Sequence, residues 1–296
     1  MNCQEFKDFV KDKIVILDGA TGSNLIDAGM PKNVCVEEWI LNHPTFVSDL
    51  LKNYADAGSD IIFTPTIGAN SVRLKKFGLE SKVADFNTAA VKLAKEAAPG
   101  ALICGDIAMT GEPLVPYGVI EYEELVDSYR EQIICLDRAG CDLIAAETFM
   151  DLNEAKAVLE AAKDITALPI MVTMTFEPNG ETYLGTTPQE AAETLAGLGA
   201  SAVGANCSNG PDQMLPVIKT MADAVDIPIV AKPNAGQPLP SLGRGIKYAI
   251  DPGSFAIMMV RLIDAGANLV GGCCGTTPEY IRQMALLCDN MTFKSK

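Results

Sequence analysis

The sequence repeats one pattern eight times: a short, continuously apolar segment followed by a stretch with helical spacing of apolar residues. Apolar runs without polar alternation are typical of parallel strands that are buried on both faces of a sheet. The intervening stretches, such as 123–140 and 153–165, place apolar side chains at helical intervals. This pattern predicts strands at residues 14–20, 60–66, 102–107, 143–148, 170–176, 202–207, 229–234 and 269–274.

Glycines mark the ends of several predicted helices, directly before the next strand, at Gly58, Gly140 and Gly266. Glycine at this position adopts the left-handed conformation that turns the chain back. Eight strand–helix units in 296 residues predict an α/β fold, a single-domain (β/α)₈ TIM barrel over residues 1–296. The alternative is an open, doubly wound sheet. Residues 235–254 are too irregular for a helix, so we expect a long loop after the seventh strand.

Charge and cysteine usage restrict the class of protein. The formal net charge of −15 argues against nucleic acid and anionic membranes as partners. The amino terminus has no signal-peptide apolar region, and no run approaches the roughly 18 apolar residues of a membrane span. We therefore expect a cytoplasmic protein whose nine cysteines are free thiols.

Polar and sulphur-bearing residues cluster where the predicted strands end. In a (β/α)₈ barrel these carboxyl ends form the rim that carries the active site. The residues concerned are Asp18, Gly19, Thr64, Thr66, Glu147, Thr148, Asn206, Cys207, Lys232, Asn234, Cys273 and Cys274. We expect the functional site at this rim.

The segment GGCCG (271–275) contains two adjacent cysteines, Cys273 and Cys274. Neighbouring side chains of a regular strand point to opposite faces, so the two thiols can share one ligand only if the backbone leaves strand geometry. Gly271, Gly272 and Gly275 give this freedom, because glycine tolerates positive φ.

A third cysteine, Cys207, ends the sixth predicted strand, from which it can reach the same point above the rim. Three thiolates with an open fourth position describe a catalytic zinc site. The only histidine, His43, has no metal-binding motif beside it, so a metal at this rim would be held by sulphur. The alternatives are packing cysteines beside a tight turn, a vicinal disulfide and a glycine loop that grips phosphate.

The ordered motifs resemble those of the homocysteine S-methyltransferases. The matching segments are DGATGSNL (18–25), TPTIGAN (64–70), ETFMDL (147–152), GANCSNGP (204–211), KPNAG (232–236) and GGCCGTTPEYI (271–281). Within this family the likeness is greatest to the homocysteine-binding barrel of cobalamin-dependent methionine synthase. The ordered set is highly specific, whereas DGATGS or GGCCG alone is a weak signal.

The resemblance implies a metal site: zinc held by Cys207, Cys273 and Cys274 activates homocysteine as a thiolate for methylation to methionine. Asn234 lies on the strand between those that carry the cysteines. We hypothesise that its amide oxygen fills the open zinc position when substrate is absent.

The resemblance also implies substrate contacts. Glu147 would bind the homocysteine ammonium, while Asp18 and the main chain at Gly19 would position the amino-acid head group, with Thr66 nearby. An ordinary strand-end ion pair is the alternative for Glu147, and a loop cap is the alternative for Asp18.

The methyl donor is not identified by these residues. A cobalamin-binding module of the methionine-synthase type carries a D-x-H-x-x-G motif, and Leu41 stands where that motif needs aspartate before the sole histidine. We therefore expect a separate corrinoid protein carrying methylcobalamin, or a small molecule such as S-methylmethionine or S-adenosylmethionine. Betaine is disfavoured, because Thr148 follows Glu147 where the betaine enzymes have tyrosine. A zinc hydrolase and a thiol- and zinc-binding module of a multi-protein methyl-transfer complex are the other functions considered.

Overall fold

The computed structural model, which describes residues 1–239, 247–289 and 291, contains one sheet of eight parallel strands. These strands are β1 Val15–Ile16, β2 Ile61–Phe63, β3 Leu102–Ala108, β4 Leu143–Phe149, β5 Ile170–Met174, β6 Ala202–Asn206, β7 Ile229–Lys232 and β10 Leu269–Val270. A separate antiparallel pair consists of β8 Pro238–Leu239 and β9 Lys247–Tyr248. Each of the eight predicted strands therefore coincides with an observed one.

The eight strands close into a barrel. Hydrogen-bonded neighbours follow the order β1-β10-β7-β6-β5-β4-β3-β2. An isolated parallel bridge between Leu17 and Ile61 joins the two ends of this order. The backbone N–H of Asp60 also donates to the carbonyl of Ile16 over 2.7 Å at the same junction. The predicted (β/α)₈ barrel is confirmed, and the open doubly wound sheet is excluded.

Helices pack around the outside of the barrel. Gly58, Gly140 and Gly266 have φ values of 108°, 87° and 115°, so the glycines predicted to end helices adopt the left-handed conformation. Within the described residues the helices are α1 Cys3–Val10, α2 Gly22–Asp27, α3 Val36–Asn42, α4 Pro44–Asp56, α5 Ser71–Lys75, α6 Val83–Ala97, α7 Tyr122–Ala139, α8 Leu152–Ala162, α9 Pro188–Gly197, α10 Pro211–Ala224, α11 Pro252–Asp264 and α12 Pro278–Cys288, with a 3₁₀ turn at Glu80–Lys82.

The predicted loop over 235–254 contains regular structure. The pair β8 and β9 lies within it, and α11 begins at Pro252. The side chain of Asp251 accepts hydrogen bonds from the backbone N–H groups of Gly253 and Ser254, which caps this helix. Residues 240–246 of the predicted loop lie outside the described residues.

Two apolar layers surround the strands. The outer layer packs between the sheet and the helices. The inner layer fills the barrel, where Phe6 and Val10 of α1 pack with strand residues such as Val15 and Leu143. This inner layer occupies the amino-terminal half of the barrel and leaves the carboxyl-terminal rim to polar residues. In the part of the chain that the structure describes, no helix combines the length and apolarity that a membrane span needs.

Six of the eight strands end earlier than the sequence predicts, and the difference is largest for β1 and β10, whose last predicted residues build the rim instead of extending the ladder. β1 was expected to reach residue 20 and β10 residue 274, whereas they end at Ile16 and Val270. Beyond these ends the chains cross-link: the N–H of Gly272 donates to the carbonyl of Asp18 over 3.0 Å, and the N–H of Cys273 to that of Pro233 over 2.8 Å. The rim is therefore a hydrogen-bonded surface with irregular backbone.

Candidate metal centre and substrate site

The sulphur atoms of Cys207, Cys273 and Cys274 form one cluster at the carboxyl-terminal rim. All three lie within 4.8 Å of one another, and the Sγ atoms of Cys207 and Cys274 are 3.8 Å apart. None of them forms a disulfide, so the vicinal disulfide is not adopted. Tetrahedral zinc with Zn–S bonds of about 2.3 Å separates its sulphur ligands by roughly 3.8 Å. The cluster has the size and the donor chemistry to hold one metal ion.

The glycines around the paired cysteines have two different tasks. Gly275 alone of the three has a positive φ, at 82°, and turns the chain. Gly271 and Gly272 instead allow close approach: an added Cβ would lie 2.7 Å from the carbonyl oxygen of Asp18 and 2.4 Å from Oγ1 of Thr276, respectively. The expectation that all three glycines supply positive φ is therefore corrected, since two of them permit the end of β10 to pack against the rim.

The turn after β6 holds Cys207 in an uncommon conformation. Cys207 and Ser208 have φ values of 61° and 57°, a region that non-glycine residues enter at a cost of about 1–3 kcal/mol each. The N–H of Cys207 donates to the carbonyl of Lys232 over 3.0 Å, which fixes the turn against β7. Strained backbone that aims a thiol at two others is typical of a functional site.

Hydrogen bonds inside the cluster distribute its protons unequally. Hydrogen-bond contacts with Cys273 and Cys274 lower the pKa of Cys207. The same contacts raise the pKa values of Cys273 and Cys274. The three sulphurs therefore share their protons, and Cys207 is the one whose thiolate form the contacts favour. A cation that displaces the two remaining protons would bind three thiolates.

Asn234 contributes an oxygen that lacks a partner. The residue is buried, and its Oδ1 has no hydrogen-bond partner within the described residues, although its side chain hydrogen-bonds Cys207. A buried polar atom left unpaired costs about 1–3 kcal/mol. An orphaned oxygen beside three sulphurs is the donor set expected of a zinc site with a displaceable fourth ligand. These residues therefore fit the metal that the sequence motifs imply.

Tyr248, a residue that the sequence did not single out, covers the cluster from the β8–β9 pair. Its ring lies so close to Gly275 that an added Cβ there would be 2.2 Å from it. Its hydroxyl donates to Cys274, and burial together with the nearby sulphurs raises the pKa of Tyr248 to about 12. The phenol therefore stays protonated and donates a hydrogen bond to one of the three sulphurs.

A buried ammonium lies below the sulphur cluster. The Nζ of Lys232 is 3.0 Å from Oε2 of Glu147, 3.7 Å from Oδ1 of Asp18 and 3.5 Å from the centre of the Phe63 ring. Burial alone would lower the pKa of Lys232, but Glu147, Asp18 and Asp106 outweigh it and raise that pKa. Lys232 is therefore charged and holds the two carboxylates that the sequence motifs implicate in substrate binding.

Carboxyl groups outnumber this single lysine. Asp18 accepts a hydrogen bond from the N–H of Phe63 over 2.8 Å, but its Oδ1 has no hydrogen-bond partner among the described residues. Burial raises the pKa of Asp18 to about 7. Asp106 of β3 is also buried with an unpaired Oδ1, and burial followed by the charge of Glu147 raises its pKa well above the usual range. A second cation beside these carboxyl groups, such as a substrate ammonium, would favour their ionised forms.

The sequence analysis did not predict that Lys232 and Asp106 belong to this buried cluster of charged groups, although the sequence contains a feature that indicates it. Each is a charged residue within a continuously apolar strand, and a charge buried on both faces of a sheet needs a partner.

Two other residues that were predicted to contact substrate, Thr66 and Gly19, instead contact other residues of the protein in this structure. Thr66 is completely buried; its Oγ1 donates to the carbonyl of Asp106 over 2.8 Å and contacts Oγ1 of Thr64 at 2.7 Å. Gly19 lies so close to Tyr54 that an added Cβ would be 2.7 Å from the phenol. In this structure Thr66 supports β3 at Asp106, and Gly19 allows the segment after β1 to approach Tyr54. Their contacts with substrate stay predictions.

Comparison with known sequences identifies relatives of this chain. A sequence profile described as homocysteine S-methyltransferase matches residues 15–288. Methionine synthase of Mycobacterium leprae (strain TN) is 30% identical over 293 residues, covering 92% of this chain and 24% of that protein. Methionine synthase of Mycobacterium tuberculosis (strain ATCC 25618 / H37Rv) is 29% identical over 304 residues, covering 96% and 25%. The chain thus spans about a quarter of the length of these relatives.

Solved structures with the same fold include the homocysteine methyltransferase MmuM from Escherichia coli. Its metallated form has a TM-score of 0.78 and 23% sequence identity, covering 94% of this chain and 98% of that chain. Its apo form has a TM-score of 0.73 at the same identity, covering 94% and 97%. At this identity the likeness establishes the barrel fold.

Removing one sulphur should empty the metal centre. We predict that Cys207→Ala lowers bound zinc from about one ion per chain to nearly none, because two sulphurs and an amide cannot hold it tightly. Zinc content after dialysis, measured by mass spectrometry, checks this. Cys3→Ala is the matched control, since Cys3 is an exposed free thiol on α1. Stoichiometric zinc in Cys207→Ala would contradict the assignment.

Proposed function

Because the chain belongs to the homocysteine S-methyltransferase family, we propose that it transfers a methyl group to homocysteine and thereby forms methionine, with zinc as its metal. The observation that carries this proposal is the cluster of Cys207, Cys273 and Cys274, whose sulphurs lie within 4.8 Å of one another. The unpaired Oδ1 of Asn234 beside them supports a fourth position that substrate can take.

The two parts of the rim suit the two ends of an amino-acid thiol. When bound, zinc supplies the Lewis acidity that lowers the pKa of the substrate thiol, so that it reacts as a thiolate near neutral pH. Cys207, Cys273 and Cys274 hold the metal without histidine, which leaves more negative charge on sulphur. Asp18 and Glu147 receive the substrate ammonium. Holding both ends at once orients the sulphur for attack on a methyl group.

We propose that the methyl group arrives on a separate corrinoid protein carrying methylcobalamin. Support comes from the curated relatives, which are methionine synthases about four times as long as this chain. A small-molecule donor, S-methylmethionine or S-adenosylmethionine, is the alternative. A second candidate function follows from the same length relation: a thiol- and zinc-binding module of a larger methyl-transfer complex.

A panel of donors tests the proposed reaction. The zinc-loaded protein is incubated with homocysteine and, in separate reactions, methylcobalamin, a methylcobalamin-loaded carrier protein, S-methylmethionine, S-adenosylmethionine or betaine. We expect methionine from the carrier protein and none from betaine. Turnover with S-methylmethionine or S-adenosylmethionine alone would replace the corrinoid assignment and exclude the binding-module function. No methionine with any donor would contradict the proposed activity.

The acidity of the site predicts a pH dependence of ligand binding. Burial raises the pKa of Asp18 to about 7, so Asp18 loses the charge that attracts an ammonium as the pH falls through this value. We predict that the dissociation constant of methionine, whose thioether does not titrate, rises about tenfold per pH unit below pH 7. Calorimetric titration between pH 5.5 and 8 measures it. Asp18→Asn should bind weakly without this dependence, and a flat wild-type profile would refute the prediction.

A further inference from the structure

Asn206 lies at the centre of the rim, although neither the sequence motifs nor the proposed reaction gives it a role. It is the last residue of β6, directly before Cys207, and its side chain is almost completely buried. Its Oδ1 accepts hydrogen bonds from the N–H of Thr148 and from Oγ1 of Thr173, each over 2.8 Å. Its Nδ2 donates to Oγ1 of Thr148 over 2.7 Å and to Sγ of Cys273 over 3.9 Å.

The orientation of this amide follows from its partners. The backbone N–H of Thr148 can only donate, so the atom of Asn206 that faces it must be the oxygen. The nitrogen of Asn206 then faces Oγ1 of Thr148 and the sulphur of Cys273. One side chain therefore offers an acceptor to β4 and a donor to the metal centre.

The acceptor holds an irregular part of β4. The pairing of β4 with β5 shifts register between Ala146 and Phe149, and Thr148 has a positive φ of 67°. A β-branched residue rarely adopts this conformation, so the surrounding contacts must impose it. Glu147 lies within this bulge and reaches Nζ of Lys232 at 3.0 Å. The two bonds from Asn206 to Thr148 fix the bulge that aims Glu147.

We propose that Asn206 is a positioning residue that couples the ammonium-binding carboxylate to the metal centre. Its two hydrogen bonds with Thr148 fix the Glu147 bulge, while Nδ2 also donates to the Cys273 sulphur. The inference rests on the proposed function, because both groups are assigned there to one substrate. A hydrogen bond to a metal-bound thiolate lowers the charge on that sulphur and fixes its direction. Such outer contacts are typically worth 10–100-fold in metal affinity.

Two variants separate the two halves of this role. Asn206→Asp keeps the shape and both contacts with Thr148, because a carboxylate accepts from the N–H of Thr148 and from its hydroxyl, but it loses the N–H toward Cys273. We therefore expect zinc release to a chromophoric chelator at pH 8 to be at least about tenfold faster, with a near-normal KM for homocysteine under saturating zinc. Asn206→Ala loses both halves, so KM for homocysteine should rise about tenfold as well. Thr175→Val is the matched control: its hydroxyl donates to the backbone carbonyl of Asn206 over 3.1 Å and leaves the amide untouched.

The outcomes distinguish this inference from the proposed function. Zinc release from Asn206→Asp within twofold of wild type, or an equally fast release from Thr175→Val, overturns the coupling role. An unchanged KM in Asn206→Ala does so as well. Wild-type protein that retains no zinc or forms no methionine from homocysteine contradicts the proposed function instead. Thermal unfolding measures the loss of stability in every variant. A general loss of stability would not accelerate zinc release in Asn206→Asp while leaving its KM for homocysteine unchanged.

Discussion

A buried ammonium organises the acidic centre of this barrel. Lys232 contacts Glu147 and Asp18 and lies over the ring of Phe63, and its side chain is almost completely buried. Breaking a buried ion pair leaves an uncompensated charge and costs about 3–5 kcal/mol. Asp106 adds a third buried carboxyl group, and burial together with the charge of Glu147 raises its pKa well above the usual range. The ammonium of a bound amino acid would favour the ionised forms of these carboxyl groups, and the thiolates at the same rim suit a metal cation.

The strand order of the barrel explains how one rim serves both purposes. β10, β7 and β6 are neighbours, so the cysteines that follow β10 and β6 flank the residues that end β7. Lys232 and Asn234 are two residues apart; the first extends toward the carboxylates and the second hydrogen-bonds Cys207. β4 contributes Glu147, and Asn206 of β6 ties that strand to Cys273. Displacing any of these strand ends would therefore disturb the thiol and ammonium subsites together.

The sequence predicts the barrel well and the supporting residues of the site poorly. Continuous apolar runs and helix-ending glycines reveal eight strand–helix units, and the order of the polar strand ends places the cysteines at one rim. The inward direction of Asp106 and Lys232 depends on the register of parallel strands, which apolar runs without alternation do not encode. Tyr248 and Asn206 act through contacts with residues distant in sequence, such as Cys274 and Thr148, and no local motif marks such pairs. The early end of β10 was not predicted either. The segment GGCC continues an apolar run in the sequence, and only the structure shows that its glycines pack closely against Asp18 and Thr276.

Zinc K-edge X-ray absorption of the purified protein can decide whether the three cysteines bind zinc and leave one position for substrate, because it counts the atoms bound to the metal without requiring a methyl donor. The account predicts three sulphurs and one oxygen in the absence of substrate, with the oxygen coming from Asn234, and four sulphurs after homocysteine is added. In Asn234→Ala without substrate, we expect the zinc–oxygen contribution to the spectrum to change, while the three zinc–sulphur contacts persist. A set of zinc-bound atoms that does not change with homocysteine, or one that contains fewer than three sulphurs, would contradict it.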